Sequence, residues 1–353
     1  MLSWILVIIA FSVMIIIHEL GHFLVARRVG IKVETFSIGF GPPIFSVKKG
    51  GVEYRIGALP LGGYVKLLGE DPSEKLTGDK GELASHSVGN RFKVFVAGSA
   101  LNYLLGYVLL SVVFMIGYPI MTTKVGGLVE NFPAKKAGIQ VGDRVLAIDG
   151  KPVSDWEALT DIMHKKTEGD VKLTIERNGN KIDLVIKPTV RETKDVFGNK
   201  VRIAQVGIMN SDERSIQKCG FFESFVMGGK KLVSFTYMTY KGLWSLITRK
   251  LPFKENVMGP VGIFGTMNEA AKIGIVPFLL LTALISAILG MFNVLPVPPL
   301  DGGLILFLGI EKLLGRPLDR KVQEIAIQVG WALFITLMLF STYNDIFRMV
   351  GKK

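Results

Sequence analysis

A single cysteine, Cys219, excludes an intrachain disulfide in any compartment. Histidine is nearly as scarce: four in 353 residues leave few candidates for an imidazole-based metal site. The chain has no arginine-rich arm, and its net charge of +12 is spread over the loops between apolar runs. That distribution argues against a nucleic-acid partner and fits the basic loops that orient membrane proteins. The first residues also lack the basic region of a secretory signal: Met1 to Trp4 is uncharged, and the apolar run continues to about residue 26. It reads as a retained membrane helix.

What the chain has in abundance is apolar length. Hydrophobic residues make up 49% of it, with a mean hydropathy of +0.40. Four stretches approach the ~20 residues a helix needs to cross a bilayer: 2–26, 94–120, one beginning near 276, and 325–343. The expected fold is a polytopic α-helical membrane protein with about four transmembrane helices, surrounded by the lipid bilayer. Lysine and arginine crowd the loops 27–93 and 312–321, which predicts a cytoplasmic location for both. The long middle region then lies outside, although Arg348, Lys352 and Lys353 point the other way.

The loop "FSIGFGPPIFSVKKGGVEYRIGALPLGGYVKLLGE" alternates apolar and polar residues between Gly and Pro punctuation, which predicts a membrane-associated β-hairpin region. Within the middle region, "DG" and "NGN" turns flank an amphipathic "DWEALTDIMHKK" carrying Trp156, Leu159, Ile162 and Met163 on one face, the pattern of an inserted α/β module. The following "FFESFVMGGKKLVSFTYMTYKGLWSLITRK" reads as an interfacial amphipathic helix, with a fifth span as the alternative. The expected division is 1–121, with two spans and the hairpin; 122–210, the module; 211–254, the interfacial region; and 255–353, with the last two spans.

His18, Glu19 and His22 form H-E-x-x-H inside the first span. On a helix the two histidines share a face, so both can bind one zinc ion while Glu19 serves as general base. Chance produces this pattern in roughly one chain in a hundred, so its setting matters more than its spacing. A charged side chain at the centre of a spanning helix costs about 2.5–3.5 kcal/mol, and a shared divalent cation offsets that cost directly. Hydrolytic zinc needs a third protein ligand and an open position. Asp301 is the best candidate: in "NVLPVPPLDGG" three prolines forbid a regular helix, and Gly302 and Gly303 permit a turn. A helix-capping role for Asp301 is the alternative. His86, His164, Glu53 and Glu70 are weaker ligand candidates.

HELGH in the first span, "AGSALNY" in the second and "NVLPVPPLDGG" in the third together resemble the site-2 protease family of intramembrane zinc metalloproteases, in the arrangement of its bacterial RseP-type members. "GGYVKLLGE" and "GPVGI" extend the resemblance over nearly the whole chain, with one PDZ-like module where the best-known relatives carry two. The resemblance implies that His18, His22 and Asp301 hold Zn2+ and that Glu19 is catalytic. It matches Gly98 and Asn102 to the family's second-span positions. It also implies substrate binding around Asn293, Pro296 and Pro298. Helix packing remains an equal reading for Asn102. The implied partners are single-span membrane proteins, such as pre-trimmed anti-sigma factors or signal-peptide remnants. The implied location is the bacterial inner membrane, with the PDZ-like module extracytoplasmic.

An extended substrate is expected to add as a strand along Gly62, Gly63, Tyr64, Val65 and Lys66. In the module, Gly126 and Gly127 form either a backbone nest for a peptide C-terminus or an ordinary turn before a strand. Two competing functions remain: a membrane-anchored zincin acting on soluble substrates, and a non-catalytic PDZ scaffold that needs no metal.

Overall fold

A computed structural model of the chain describes residues 1–350, apart from 72 and 75 and from the side chains of 60 and 61. Lys352 and Lys353, used above for orientation, lie outside the described residues. The chain divides into two compact units: Met1–Val113 with Phe221–Tyr240 and Phe253–Lys353, and Phe114–Gly220 with Lys241–Pro252.

The first unit opens with α1 (Leu2–Val29), the long strands β1 (Val33–Lys49) and β2 (Val52–Leu67), and α2 (Val88–Ile116). Helix α1 stops at Gly30, whose φ of 90° closes the last turn, and Arg27 and Arg28 sit where the helix dipole favours cations. Both strands bend. Residues 35–38 of β1 pair with 63–66 on one side and with 53–56 on the other, and the far half of β1 pairs again with 52–57. The hairpin expected from the punctuation is therefore a folded ribbon with 63–66 along one edge. No strand among the described residues pairs with that edge.

The second unit holds β3 (Tyr118–Met121), β4 (Val125–Leu128), α3 (Pro133–Lys136), β5 (Arg144–Ile148), β6 (Lys151–Pro152), α4 (Trp156–His164), β7 (Val171–Arg177), β8 (Asn180–Ile186), β9 (Thr189–Lys194), β10 (Lys200–Gln205), β11 (Ile208–Asn210) and β12 (Arg214–Gln217). Its largest sheet runs β6-β5-β7-β8, all antiparallel. Helix α4 is capped by Asp155, which accepts the Ala158 N–H at 2.8 Å. Its Leu159 and Met163 pack on Val145, Ile148, Leu173 and Ile175, with Trp156 and Ile162 at the margin, so the amphipathic reading of this segment holds.

The remaining helices are α5 (Phe221–Ile247), α6 (Phe253–Asn256), α7 (Pro260–Ile273), α8 (Ile275–Asn293), α9 (Asp301–Leu314) and α10 (Arg320–Val350). Among the described residues, α1, α2, α8 and α10 are the four helices long and apolar enough to cross a membrane. Helix α5 is one continuous helix. Its Leu232 packs with Leu110 of α2 and Ala283 of α8, and Thr236 bonds the Tyr103 hydroxyl at 2.7 Å.

Small residues set the helix crossings. A Cβ on Gly21 would lie 2.5 Å from the Ala97 carbonyl oxygen, and one on Gly290 would lie 2.7 Å from that of Ser99. These glycines let α2 touch α1 on one side and α8 on the other, backbone to backbone. Beneath this crossing, Phe23 and Ala26 of α1, Phe36 and Leu67 of the ribbon, Val94 and Phe95 of α2 and Leu308 of α9 form one buried cluster.

Candidate metal centre

His18 and His22 lie one turn apart on α1 and face the start of α9. The His22 Nδ1–H donates to the Val94 carbonyl at 2.8 Å in a buried position. A carbonyl only accepts, so that bond assigns the proton to Nδ1 and leaves the Nε2 lone pair free. The two Nε2 atoms are 3.2 Å apart, and each is 3.4 Å from Oδ2 of Asp301. The three potential ligand atoms all lie within 4.8 Å of one another. Three lone-pair donors so close repel one another unless a cation lies between them. Two imidazoles and a carboxylate are the donor set that zinc takes when a fourth position stays open. The residues therefore fit the ion.

Local folding explains how Asp301 arrives there. Helix α8 stops at Asn293, and the proline-rich residues 294–300 run without regular helix until α9 begins at Asp301 itself. A Cβ on Gly302 would lie 2.1 Å from the Leu295 carbonyl oxygen, and one on Gly303 would lie 2.5 Å from the Pro298 nitrogen. The proline segment thus folds back onto the first turn of α9, a position that only glycines allow. The backbone nitrogen of Leu300 bonds the Val297 carbonyl at 3.0 Å, which closes the turn. Asp301 stands in the first helical turn, with Leu300 as the cap residue, so its carboxylate is turned to the histidines and does not cap the helix.

Glu19 stands beside this cluster but outside the ligand set. Its carboxylate accepts the Val65 N–H of the ribbon edge. A Cβ on Gly63 would lie 3.5 Å from the Glu19 side chain, so that edge passes directly over it. Tyr64 stacks on Phe40, Lys66 pairs with Glu34 and Glu74, and a Cβ on Gly62 would strike the Phe40 ring. Of the five edge residues, Gly63 and Val65 are thus brought against Glu19 and α1. The Asn293 amide nitrogen lies 3.5 Å from His18 Nε2. Asn102 is buried and its side-chain oxygen has no partner, while its backbone carbonyl accepts the Ser286 hydroxyl. Pro298 packs under Gly303 and against Gly330 of α10, whereas Pro296 is exposed.

The weaker ligand candidates lie outside the cluster. His86 bonds the Glu82 carbonyl, Glu53 pairs with Arg55, and His164 ends α4 in the second unit. Glu70 accepts the Leu67 N–H at 3.1 Å, and burial pushes its carboxyl above the usual range. Sequence reasoning missed two contributors. The Val94 carbonyl is backbone and leaves no trace in residue type. The Ser99 hydroxyl, 3.4 Å from Asp301 Oδ2, lies on the helix face of Asn102, three residues on, a signal that spacing carries.

Gly98 closes the site from behind. A Cβ there would lie 2.3 Å from His22 Nε2 and 2.8 Å from the His18 ring. We therefore expect Gly98→Ala to drive both rings out of register and to lower bound zinc. Metal content of the purified variant checks this, and full zinc would contradict it.

The profile of peptidase family M50 matches residues 6–337. The zinc metalloprotease RasP of Oceanobacillus iheyensis is 29% identical, covering 97% of this chain and 98% of that protein. A provisionally named zinc metalloprotease of Campylobacter jejuni is 33% identical, covering 98% of this chain and 93% of its own. Among solved structures, the PDZ domain of an SdrC-like protein from Listeria monocytogenes matches 26% of this chain and 87% of its own, at 21% identity and a TM-score of 0.19.

Proposed function

This chain belongs to peptidase family M50, the site-2 protease family, and is a zinc metalloendopeptidase; we propose that it cuts the transmembrane segments of single-span membrane proteins within the bilayer. The observation that carries this reading is the convergence of His18, His22 and Asp301 within 4.8 Å, on helices that include a candidate span and beside an unpaired strand edge.

The roles follow from the chemistry of each group. His18, His22 and Asp301 would hold the ion. When bound, zinc supplies a Lewis acid that polarises the scissile carbonyl and acidifies water. Glu19, steadied by the Val65 N–H, takes a proton from the attacking water and returns it to the leaving amide nitrogen. Asn293 offers an amide beside His18 for the substrate backbone. Asn102, Pro296 and Pro298 shape the substrate path around the site.

A helical substrate hides its carbonyls, so it must unwind before it can react. Because the Val65 N–H points at Glu19, the backbone groups of Gly63 and Val65 face outward, while those of Tyr64 and Lys66 face β1. An unwound segment adding to that outer edge lies across Glu19 and the metal ligands. Proline is tolerated at an edge residue whose N–H faces away from the ladder. Val65→Pro removes an edge N–H that also steadies Glu19, and is therefore expected to cut cleavage of a transmembrane reporter at least tenfold with zinc content unchanged. Normal turnover would refute both roles of that N–H. Equal cleavage of a soluble unstructured peptide and the transmembrane reporter by the unaltered chain would favour a surface zincin.

The substrates we assign are segments already trimmed outside the membrane, such as anti-sigma factors or signal-peptide remnants. The location is a bacterial inner membrane, with the 122–210 module extracytoplasmic and 211–254 at the interface. That module binds peptide C-termini in a cavity of about 200 Å³ lined by Trp156, Leu159 and Met163 of α4 and by residues 204–208. Gly126 and Gly127 do not form that site, because β4 pairs with β11 through Gly127 and Met209.

A further inference from the structure

Where α1 ends and α2 begins, the chain gathers five basic residues: Arg27, Arg28, Lys32, Arg91 and Lys93. Three have partners. Arg91 forks onto Glu311, with one contact at 2.9 Å; Lys32 meets Asp79 at 2.5 Å; and Arg27 lies 5.5 Å from the centre of the Phe23 ring. Arg28 and Lys93 have no carboxylate partner among the described residues, and Lys93 Nζ reaches only the Asn90 amide oxygen at 3.4 Å.

These two cations line the same space, an open groove of about 690 Å³ between α1 and α2. Val25 and Val29 form one wall, and Val96 and Ala97 the other. No acidic residue lines it. The adjoining cavity, which holds Arg27 and Lys32, contains Glu34 and so offsets its own charge.

Two spans leaving a bilayer here present apolar walls on the hydrocarbon side and cations at the rim. Basic pockets between spanning helices at the membrane surface suit acidic lipid headgroups. A soluble anion would leave the valine walls bare, and a zwitterionic lipid would only partly compensate two cations. We propose that this groove binds one anionic phospholipid of the surrounding bilayer, its phosphate between Arg28 and Lys93 and an acyl chain between the apolar walls.

The inner end of the groove touches the frame of the metal centre. Ala97 meets Gly21 backbone to backbone and precedes Gly98, and the Val94 carbonyl holds His22.

The test uses the full chain in mild detergent, incubated with phosphatidylglycerol or phosphatidylcholine of identical acyl chains and examined by native mass spectrometry. The unaltered protein is expected to retain phosphatidylglycerol preferentially. Arg28→Gln with Lys93→Gln should weaken that retention roughly tenfold or more. Arg28→Lys with Lys93→Arg keeps both charges and should preserve it, as should Lys48→Gln with Lys49→Gln, an equal charge loss elsewhere. Should the double glutamine variant fail to fold, each single glutamine variant is expected to show a partial loss. Equal retention of the two lipids, or retention indifferent to Arg28 and Lys93, would overturn the proposal. Inorganic phosphate should leave the lipid bound; displacement by phosphate alone would make this a soluble-anion site and equally overturn it.

Discussion

Replacing Glu19 by glutamine is expected to abolish cleavage of a transmembrane reporter while the purified chain keeps one zinc. Glutamine has nearly the same shape, and its carbonyl oxygen still accepts the Val65 N–H that steadies Glu19. What it loses is the capacity to take a proton. Positioned general acid–base groups contribute about 10²–10⁴ in rate, so activity should fall below detection in most assays. Zinc should stay because Glu19 lies outside the group whose ligand atoms converge. The two readouts separate the competing functions. A scaffold would be indifferent to the change and hold no metal. A variant that lost zinc along with activity would mean that Glu19 is a ligand, contrary to the geometry.

The second large effect belongs to Asp301. Its Oδ2 lies 3.4 Å from both Nε2 atoms, and it comes from a helix that begins 279 residues after the second histidine. Without it, two imidazoles from one helix face the ion, short of the three protein ligands that hydrolytic zinc requires. Asp301→Ala should therefore lose both zinc and cleavage, and Asp301→Asn, with a neutral and weaker donor, should lose much of both. An ion held by these ligands would also tie α1 to α9, and a ligand that binds only the folded state stabilises it by mass action. A chelator should then lower the melting temperature of the unaltered protein and leave that of Asp301→Ala nearly unchanged. Equal chelator sensitivity in the two would place the stabilising metal elsewhere.

The parts of this site that were legible in the sequence are those where chemistry and surroundings conflict. His18, Glu19 and His22 stand out because they interrupt a lipid-soluble helix, and Asp301 because prolines break the span before it. The spans were legible for the same reason, but their ends were not. Helix α2 begins at Val88, six residues before its apolar run suggests, because Asn90, Arg91 and Lys93 form a polar first turns that hydropathy cannot see. Helix α7 went unread because Asn268, Glu269 and Lys272 interrupt its 14 residues; in three dimensions Asn268 and Met267 are nonetheless buried.

Other features exist only in the folded backbone. The ribbon's alternation signalled strands, but not that β1 would pair with β2 on both of its edges, which leaves 63–66 beside Glu19. The Val94 carbonyl that orients His22 belongs to a helix crossing, not to a motif, and the motif that contains Gly98 does not show the close approach to the histidine rings that makes glycine obligatory there. The glycine pair in the module was open to two readings for a related reason: Gly126 and Gly127 suit a nest or a turn by composition, and only the fold places both within β4, with Met209 paired to Gly127.

The central claim is that one ion is held jointly by the α1 histidine pair and the α9 aspartate. Zinc-edge X-ray absorption on the purified full chain tests it most directly. The expected spectrum for the unaltered protein shows two imidazole ligands and a carboxylate oxygen, with zinc at one per chain and lost on Asp301→Ala. Stoichiometric zinc with an identical spectrum in Asp301→Ala would contradict it.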